Sequence, residues 1–460
     1  MSDPAARMKE LRQRMDEITL AMMRLLRERI DTSTRIGELK RLHNIPIIDE
    51  AREDEIRKMA METADREGIA RDVAARFVNR LLNKSAALQS EDSPTHLAIF
   101  ARAKAMEQEG HSIIHMEVGE PDFEPPQAAG RALLEGFRAG HTKYGLPAGD
   151  ARLRDALAED IHRRYGVTSS AEGIMVTPGA RFAVFAGITT LLYPGDEIML
   201  IEPAWPAYRE AAIYHGVKPR IIHTTLEGGW EPSMEDLERA VAPQTKMIVL
   251  SYPSNPTGKI LPRRLLDNIM DFAARHDLYV LSDEIYRDYT MRGNYRSVLE
   301  YSYPKSIVTQ SFSKSHALMG FRIGYAAAAP DTIRRMTAAS ALCLTGVAGV
   351  IQYAALKSLR YDTTPNVEIM RERLGIISKG ARQAGLEFAE PDGAMYVFAR
   401  VPGADGMDVV ERCLERGLAL APGSGFGHYP EFVRISAGTG QVESGMNILY
   451  DTMREHAWKR

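Results

Sequence analysis

The sequence predicts two fold classes in one chain: an all-α, three-helix dimerising head, then an α/β body with a mixed, mostly parallel sheet and a smaller α+β part. Three observations carry this. Met8, Leu11, Met15, Ile18, Met22 and Leu25 recur at three- and four-residue spacing, the stripe of an amphipathic helix. A polar stretch, Ser90-Glu-Asp-Ser-Pro94, then breaks the pattern. Beyond it, Met247-Ile-Val-Leu250 and Leu278-Tyr-Val-Leu281 are short apolar runs that end in polar residues. That is the pattern of buried parallel strands whose carboxyl ends face a ligand.

Composition narrows the function. The 460 residues are 45% hydrophobic and 26% charged, with a formal net charge of −3. The length points to more than one domain, and no strong basic excess calls for a nucleic-acid partner. Two cysteines, Cys343 and Cys413, exclude a disulfide framework and a cysteine-based zinc site. The twelve histidines show no metal-binding spacing. The Met-Ser-Asp-Pro start turns charged at once, and no run approaches a membrane span. The expectation is a cytoplasmic enzyme with no membrane partner.

The head is expected over 1–90, with a linker at 91–95. Its helices are expected at about Ala5–Leu42, Glu50–Arg66 and Arg71–Leu88. Arg29 and Lys40, eleven apart, share one helix face. Ser85 and Gln89, four apart, share another, while Asp49 and Arg52-Glu53 open the second helix. Cations aimed inward from several helices suit a dianionic ligand.

Leu11-Arg12, Glu28-Arg29, Ile36-Gly37, Lys40, Asp49, Ala51-Arg52-Glu53, Ser85 and Gln89 together make residues 8–90 closely resemble the all-helical chorismate mutases. The resemblance implies that Arg12, Arg29 and Arg52 take the two carboxylates of chorismate, with Arg12 supplied by a partner chain. It places Lys40 and Gln89 at the breaking ether oxygen, and Glu53 and Asp49 at the substrate hydroxyl and neighbouring cations. Ser85 joins the substrate-binding set. Conversion to prephenate is a unimolecular rearrangement, so the site must hold the folded conformer and stabilise growing negative charge, with no nucleophile. A passive dimerising hairpin is the competing reading.

The body, 96–460, is organised around Ser311-Phe-Ser-Lys-Ser-His316, which follows the strand pattern Ile307-Val-Thr-Gln310. Ser311, Ser313 and Arg322 make a phosphate cradle, and Lys314 beside it can form a Schiff base with a phosphate-bearing aldehyde. Upstream stand Asn255-Pro-Thr-Gly258 and Ser282-Asp-Glu-Ile-Tyr286. In order and spacing these motifs resemble the class I/II aminotransferases, fold-type-I enzymes that use pyridoxal 5'-phosphate. The expected cofactor-binding part spans about 140–330. The smaller part takes the N-terminal segment plus about 331–460.

That resemblance assigns roles along the chain. Gly119 offers an amide to the substrate carboxylate, and Tyr144 reaches the neighbouring subunit's cofactor phosphate, which requires a homodimer or larger homo-oligomer. Gly179, Ala180 and Arg181 begin a helix whose amides suit the phosphate. Trp205 stacks on the cofactor, Asp283 meets its ring nitrogen, and Asn255 and Tyr286 bond its ring oxygen. Lys314 is the base, and Arg434 clamps the α-carboxylate. Arg181 also follows Gly179-Ala180 where it can grip a distal carboxylate. The Pro422-Gly-Ser-Gly-Phe-Gly-His428 loop imitates a dinucleotide loop, but Pro430 follows and no helix opens there.

The leading expectation is therefore a bifunctional enzyme. It rearranges chorismate, then moves an amino group from aspartate or glutamate to prephenate, phenylpyruvate or 4-hydroxyphenylpyruvate. The alternatives are an aspartate aminotransferase whose helical head only dimerises or regulates, a decarboxylase or C–S lyase, and an effector-sensing transcription regulator. The last is disfavoured. Residues 1–90 balance 18 Lys and Arg against 16 Asp and Glu and show no helix-turn-helix spacing.

Overall fold

The structure, a computed structural model, describes residues 4–43, 50–71, 73–75, 77–78, 81–82 and 96–455. Contacts divide the chain into two units, Met1–Ser93 and Pro94–Arg460.

In the first unit α1 runs over Pro4–Leu42 and α2 over Glu50–Glu67. The described residues between 71 and 82 are helical as well. Proline is absent from α1 after its first residue, so nothing breaks the ladder. Thr19 and Thr32 turn their hydroxyls onto the carbonyls of Met15 and Glu28, four residues back, at 2.9 and 2.8 Å. Among the described residues of this unit only Ser33, Gly37, Ala64 and Leu82 are buried. Met8, Leu11, Met15, Ile18, Met22 and Leu25 stand open to solvent, between 47% and 67% exposed. The apolar stripe forms as the periodicity requires, and it is exposed among the described residues.

The second unit is α/β. Its seven-stranded sheet contains β2 (Ile174–Thr177), β3 (Glu197–Glu202), β4 (Lys218–His223), β5 (Thr245–Ser251), β6 (Tyr279–Asp283), β7 (Ser306–Ser311) and β8 (Gly324–Ala328), in the order β2-β8-β7-β6-β5-β3-β4. β8 runs against both neighbours and every other pairing is parallel. Met247 to Leu250 and Val280 to Asp283 are buried throughout, as expected of strands covered on both faces. Register aligns Ser251 with Asp283 and Asp283 with Thr309, so polar side chains line up at the carboxyl edge.

β1 (Ile114–His115) pairs in parallel with β11 (Leu418–Ala419). An antiparallel sheet of order β12-β13-β10-β9 combines β9 (Glu387–Phe388), β10 (Tyr396–Arg400), β12 (Ala421–Pro422) and β13 (Phe432–Ser436). Ile99, Ala103 and Met116 share a core with Leu374, Val397 and Leu449, which places the N-terminal segment in this smaller part. The expected internal boundary near 330 needs correction. Helices Pro330–Ser340 and Gly349–Ser358 send Ile333, Met336 and Ala355 into the cores on the large sheet. The chain leaves the large sheet only after Leu359.

Candidate active site

The carboxyl edge of the large sheet opens into a cavity of about 280 Å³. Gly119, Ala180, Arg181, Trp205, Asn255, Asp283, Tyr286, Ser313, Lys314, Arg322 and Arg434 all line it, from seven separate stretches of sequence. Lys314 sits in the loop after β7. Its Nζ donates to the Gly119 carbonyl and lies 5.9 Å from the centre of the Tyr286 ring. Burial, with the Arg434 charge nearby, pulls its ammonium down to about 8.

Asp283 ends β6 and is 4% exposed. Tyr208 donates to its Oδ2 at 2.7 Å and Thr309 to its Oδ1 at 3.1 Å. Burial raises this carboxyl, and those hydrogen bonds oppose the rise. A cationic ring nitrogen in the cavity would hold it ionised.

On the other side, Arg434 on β13 is 3% exposed. It donates from Nη1 to Asn255 Oδ1 at 2.8 Å and from Nη2 to the Glu117 carbonyl. Its guanidinium carbon lies 4.4 Å from the centre of the Tyr396 ring and 4.6 Å from that of Phe426. The cation is therefore oriented by two acceptors and two aromatic faces. Burial pulls its pKa down, opposed by the neighbouring phenols and Glu117.

The corner around Gly179 and Arg322 is built differently from the sequence expectation. The Gly179 amide already donates to the Thr177 carbonyl at 2.8 Å. Ala180 and Arg181 open the helix Ala180–Leu191, and first-turn amides have no intrahelical acceptor. Gly179 contributes space instead. Its φ is +83°, and a Cβ there would stand 2.5 Å from Arg322 Nη2. Ser311 is buried and uses its Oγ to accept from the Ser313 amide at 3.1 Å, so it shapes the loop rather than lining the cavity.

Tyr144 is 93% exposed and lies outside the cavity lining. In the first unit Arg29, Lys40 and Glu53 are half-buried, while Arg12 and Arg52 are exposed. Glu53 accepts from Arg57 at 2.9 Å, and Arg52 pairs with Glu55. Asp49, Ser85 and Gln89 lie outside the described residues. Two cavity tyrosines escaped the sequence reading. Tyr208 and Tyr396 look in sequence like core tyrosines, and only the fold turns their hydroxyls to Asp283 and Tyr286.

A half-buried lysine, a buried aspartate and a buried arginine around one cavity at the carboxyl edge of such a sheet define a class of enzyme. The chain belongs to the class I and II aminotransferases: residues 111–448 match the model of that family. Residues 11–90 match that of the type II chorismate mutases. It is 33% identical to the aspartate aminotransferase of Thermotoga maritima over 74% of this chain and 90% of the relative. It is 32% identical to the aspartate/prephenate aminotransferase of Thermus thermophilus over 75% and 91%. The solved Thermus thermophilus aspartate aminotransferase with maleate superposes with a TM-score of 0.75 at 31% identity, covering 78% of this chain and 96% of that one.

Proposed function

We propose that the chain is a bifunctional enzyme of aromatic amino acid biosynthesis. The first unit rearranges chorismate to prephenate. The second transfers an amino group from aspartate or glutamate to a keto acid, prephenate being the acceptor the arrangement favours. The observation that carries the second half is the single cavity shared by Lys314, Asp283 and Arg434.

The residues present fit pyridoxal 5'-phosphate. Asp283 is a buried carboxylate facing a cavity that can admit a cationic ring, and Gly179 leaves room for Arg322 that a Cβ would fill. Ser313, Arg322 and the first-turn amides of Ala180 and Arg181 would hold the phosphate. Trp205 would cover one ring face, and Asn255 and Tyr286 would meet the ring oxygen. The bound cofactor supplies an electron sink for negative charge at the amino acid Cα. Lys314 Nζ, with its lowered pKa, can take the proton from Cα and return one across the same face. Arg434 fixes the α-carboxylate so that the Cα–H points at Lys314.

Arg181 lines the same cavity with its guanidinium 4.5 Å over Trp205. It suits a second carboxylate, which prephenate and oxaloacetate carry and phenylpyruvate lacks. The name of the Thermus thermophilus relative supports this choice.

For the first unit, helix length supports a dimer. Arg12 stands seventeen residues before Arg29 on one continuous helix, an axial separation of roughly 25 Å. One chain cannot close both onto one small dianion, whereas a second copy packed along the exposed stripe of α1 can supply Arg12. Homodimerisation would also bring Tyr144 to a neighbouring cavity. The test is to load the purified protein with pyridoxal phosphate and assay prephenate, phenylpyruvate, 4-hydroxyphenylpyruvate and oxaloacetate as acceptors. The proposal expects prephenate to be aminated with the highest kcat/KM of the aromatic precursors. Failure to aminate prephenate would overturn the substrate assignment.

A further inference from the structure

The hydroxyls of Tyr286 and Tyr396 lie 2.6 Å apart, with their rings packed edge-to-face at 80°. Both side chains are buried. Two phenols that close share one proton between their oxygens, and the other proton must find a second acceptor. The direction of the bond therefore decides what Tyr286 can offer the cavity.

The position of Arg434 fixes that direction. Arg434 lies 4.4 Å from the Tyr396 ring centre, where its charge favours partial negative charge on that phenol and makes Tyr396 the better donor of the pair. Burial raises both phenols, and the Arg434 charge opposes the rise on each. Gly119 leaves the Tyr396 hydroxyl its place, since a Cβ on Gly119 would stand 1.9 Å from that oxygen.

We propose that Tyr396 is a positioning residue for Tyr286: it donates to the Tyr286 oxygen and thereby turns the Tyr286 proton into the cavity. The inference rests on the cofactor reading above, because the group that would accept this proton is the pyridoxal ring oxygen. Tyr396 never touches that oxygen in this scheme. It makes Tyr286 a stronger and singly oriented donor, since a hydroxyl that accepts one hydrogen bond donates a better one.

The test is the visible absorption of the protein reconstituted with pyridoxal phosphate, titrated with pH. Four proteins are compared: wild type, Tyr396→Phe, Tyr286→Phe and the double variant. Tyr396→Phe removes one buried oxygen and keeps the ring under Arg434. Its titration midpoint is expected to rise by about 0.5–1 pH unit, the size of one neutral hydrogen bond. Tyr286→Phe is expected to shift further, and the double variant to match Tyr286→Phe, because Tyr396 acts only through Tyr286. KM for the amino donor is expected to stay within about threefold in Tyr396→Phe, since the stacked ring still supports Arg434. An unchanged midpoint in Tyr396→Phe, or shifts that add in the double variant, would overturn the inference while leaving the cofactor reading intact. A wild-type protein that gains no visible band would overturn both, and no variant is needed to see it.

Discussion

Arg434 and Asn255 are joined by a 2.8 Å hydrogen bond from Nη1 to Oδ1, although 179 residues separate them. Asn255 follows β5 of the large sheet and Arg434 lies on β13 of the small one, so the proposed carboxylate clamp is set by a contact between the two sheets. Asn255→Ala is therefore expected to act twice, through the cofactor ring oxygen and through a loosened Arg434. KM for the amino donor should rise about 10–100-fold, roughly 1.4–2.8 kcal/mol. Steady-state kinetics across several donors checks this, and an unchanged KM would show that Asn255 does not hold the clamp.

Gly179→Ala places a Cβ 2.5 Å from Arg322 Nη2 at a φ of +83°. Arg322 must move out of the proposed phosphate corner. Affinity for pyridoxal phosphate is expected to fall at least tenfold, about 1.4 kcal/mol, as read by fluorescence titration of the apoprotein. Chorismate turnover should be unaffected.

The parts of this site that could be read in the sequence are those where chain order equals spatial order. Asp283 and Lys314 follow apolar strand patterns directly, and parallel strands deliver their carboxyl ends to one edge. Tyr396 and Tyr208 could not be read, because their partners lie 110 and 75 residues away and a buried tyrosine has the same sequence signature as any core aromatic. The internal boundary was misplaced for a related reason. Helices Pro330–Ser340 and Gly349–Ser358 are ordinary amphipathic segments, and only the fold shows that they cover the large sheet. In the first unit the stripe on α1 was legible, and among the described residues it stands exposed, as the proposed dimer requires.

Lys314 gives the apoprotein a distinctive pH dependence. Its ammonium falls from 10.5 to about 8 in the fold. Between those values the unfolded chain binds more protons at this side chain than the folded one, so its contribution makes stability rise with pH across about 8–10.5. Below pH 8 the penalty for the buried charge is fully present. Denaturant unfolding of the apoprotein and of Lys314→Met should differ most near pH 7, where the variant is relieved of that penalty. The difference should shrink toward pH 10.5. A difference independent of pH would show that Lys314 is not shifted.

Arg181→Leu removes the cation over Trp205. It is expected to weaken prephenate and oxaloacetate by about 2–4 kcal/mol in kcat/KM and to leave phenylpyruvate little changed. Equal losses on all three acceptors would remove Arg181 from distal-carboxylate selection.

The most direct test of two chemistries in one chain compares wild type, Lys314→Ala and Arg29→Ala in parallel assays of chorismate rearrangement and amino transfer. Lys314→Ala is expected to abolish amino transfer and retain full mutase activity. Arg29→Ala is expected to lose about 3–5 kcal/mol of transition-state binding for chorismate, several orders of magnitude in rate, with amino transfer unchanged. Mutase activity near wild type in Arg29→Ala, or parallel loss of both activities in a folded Lys314→Ala protein, would contradict the account.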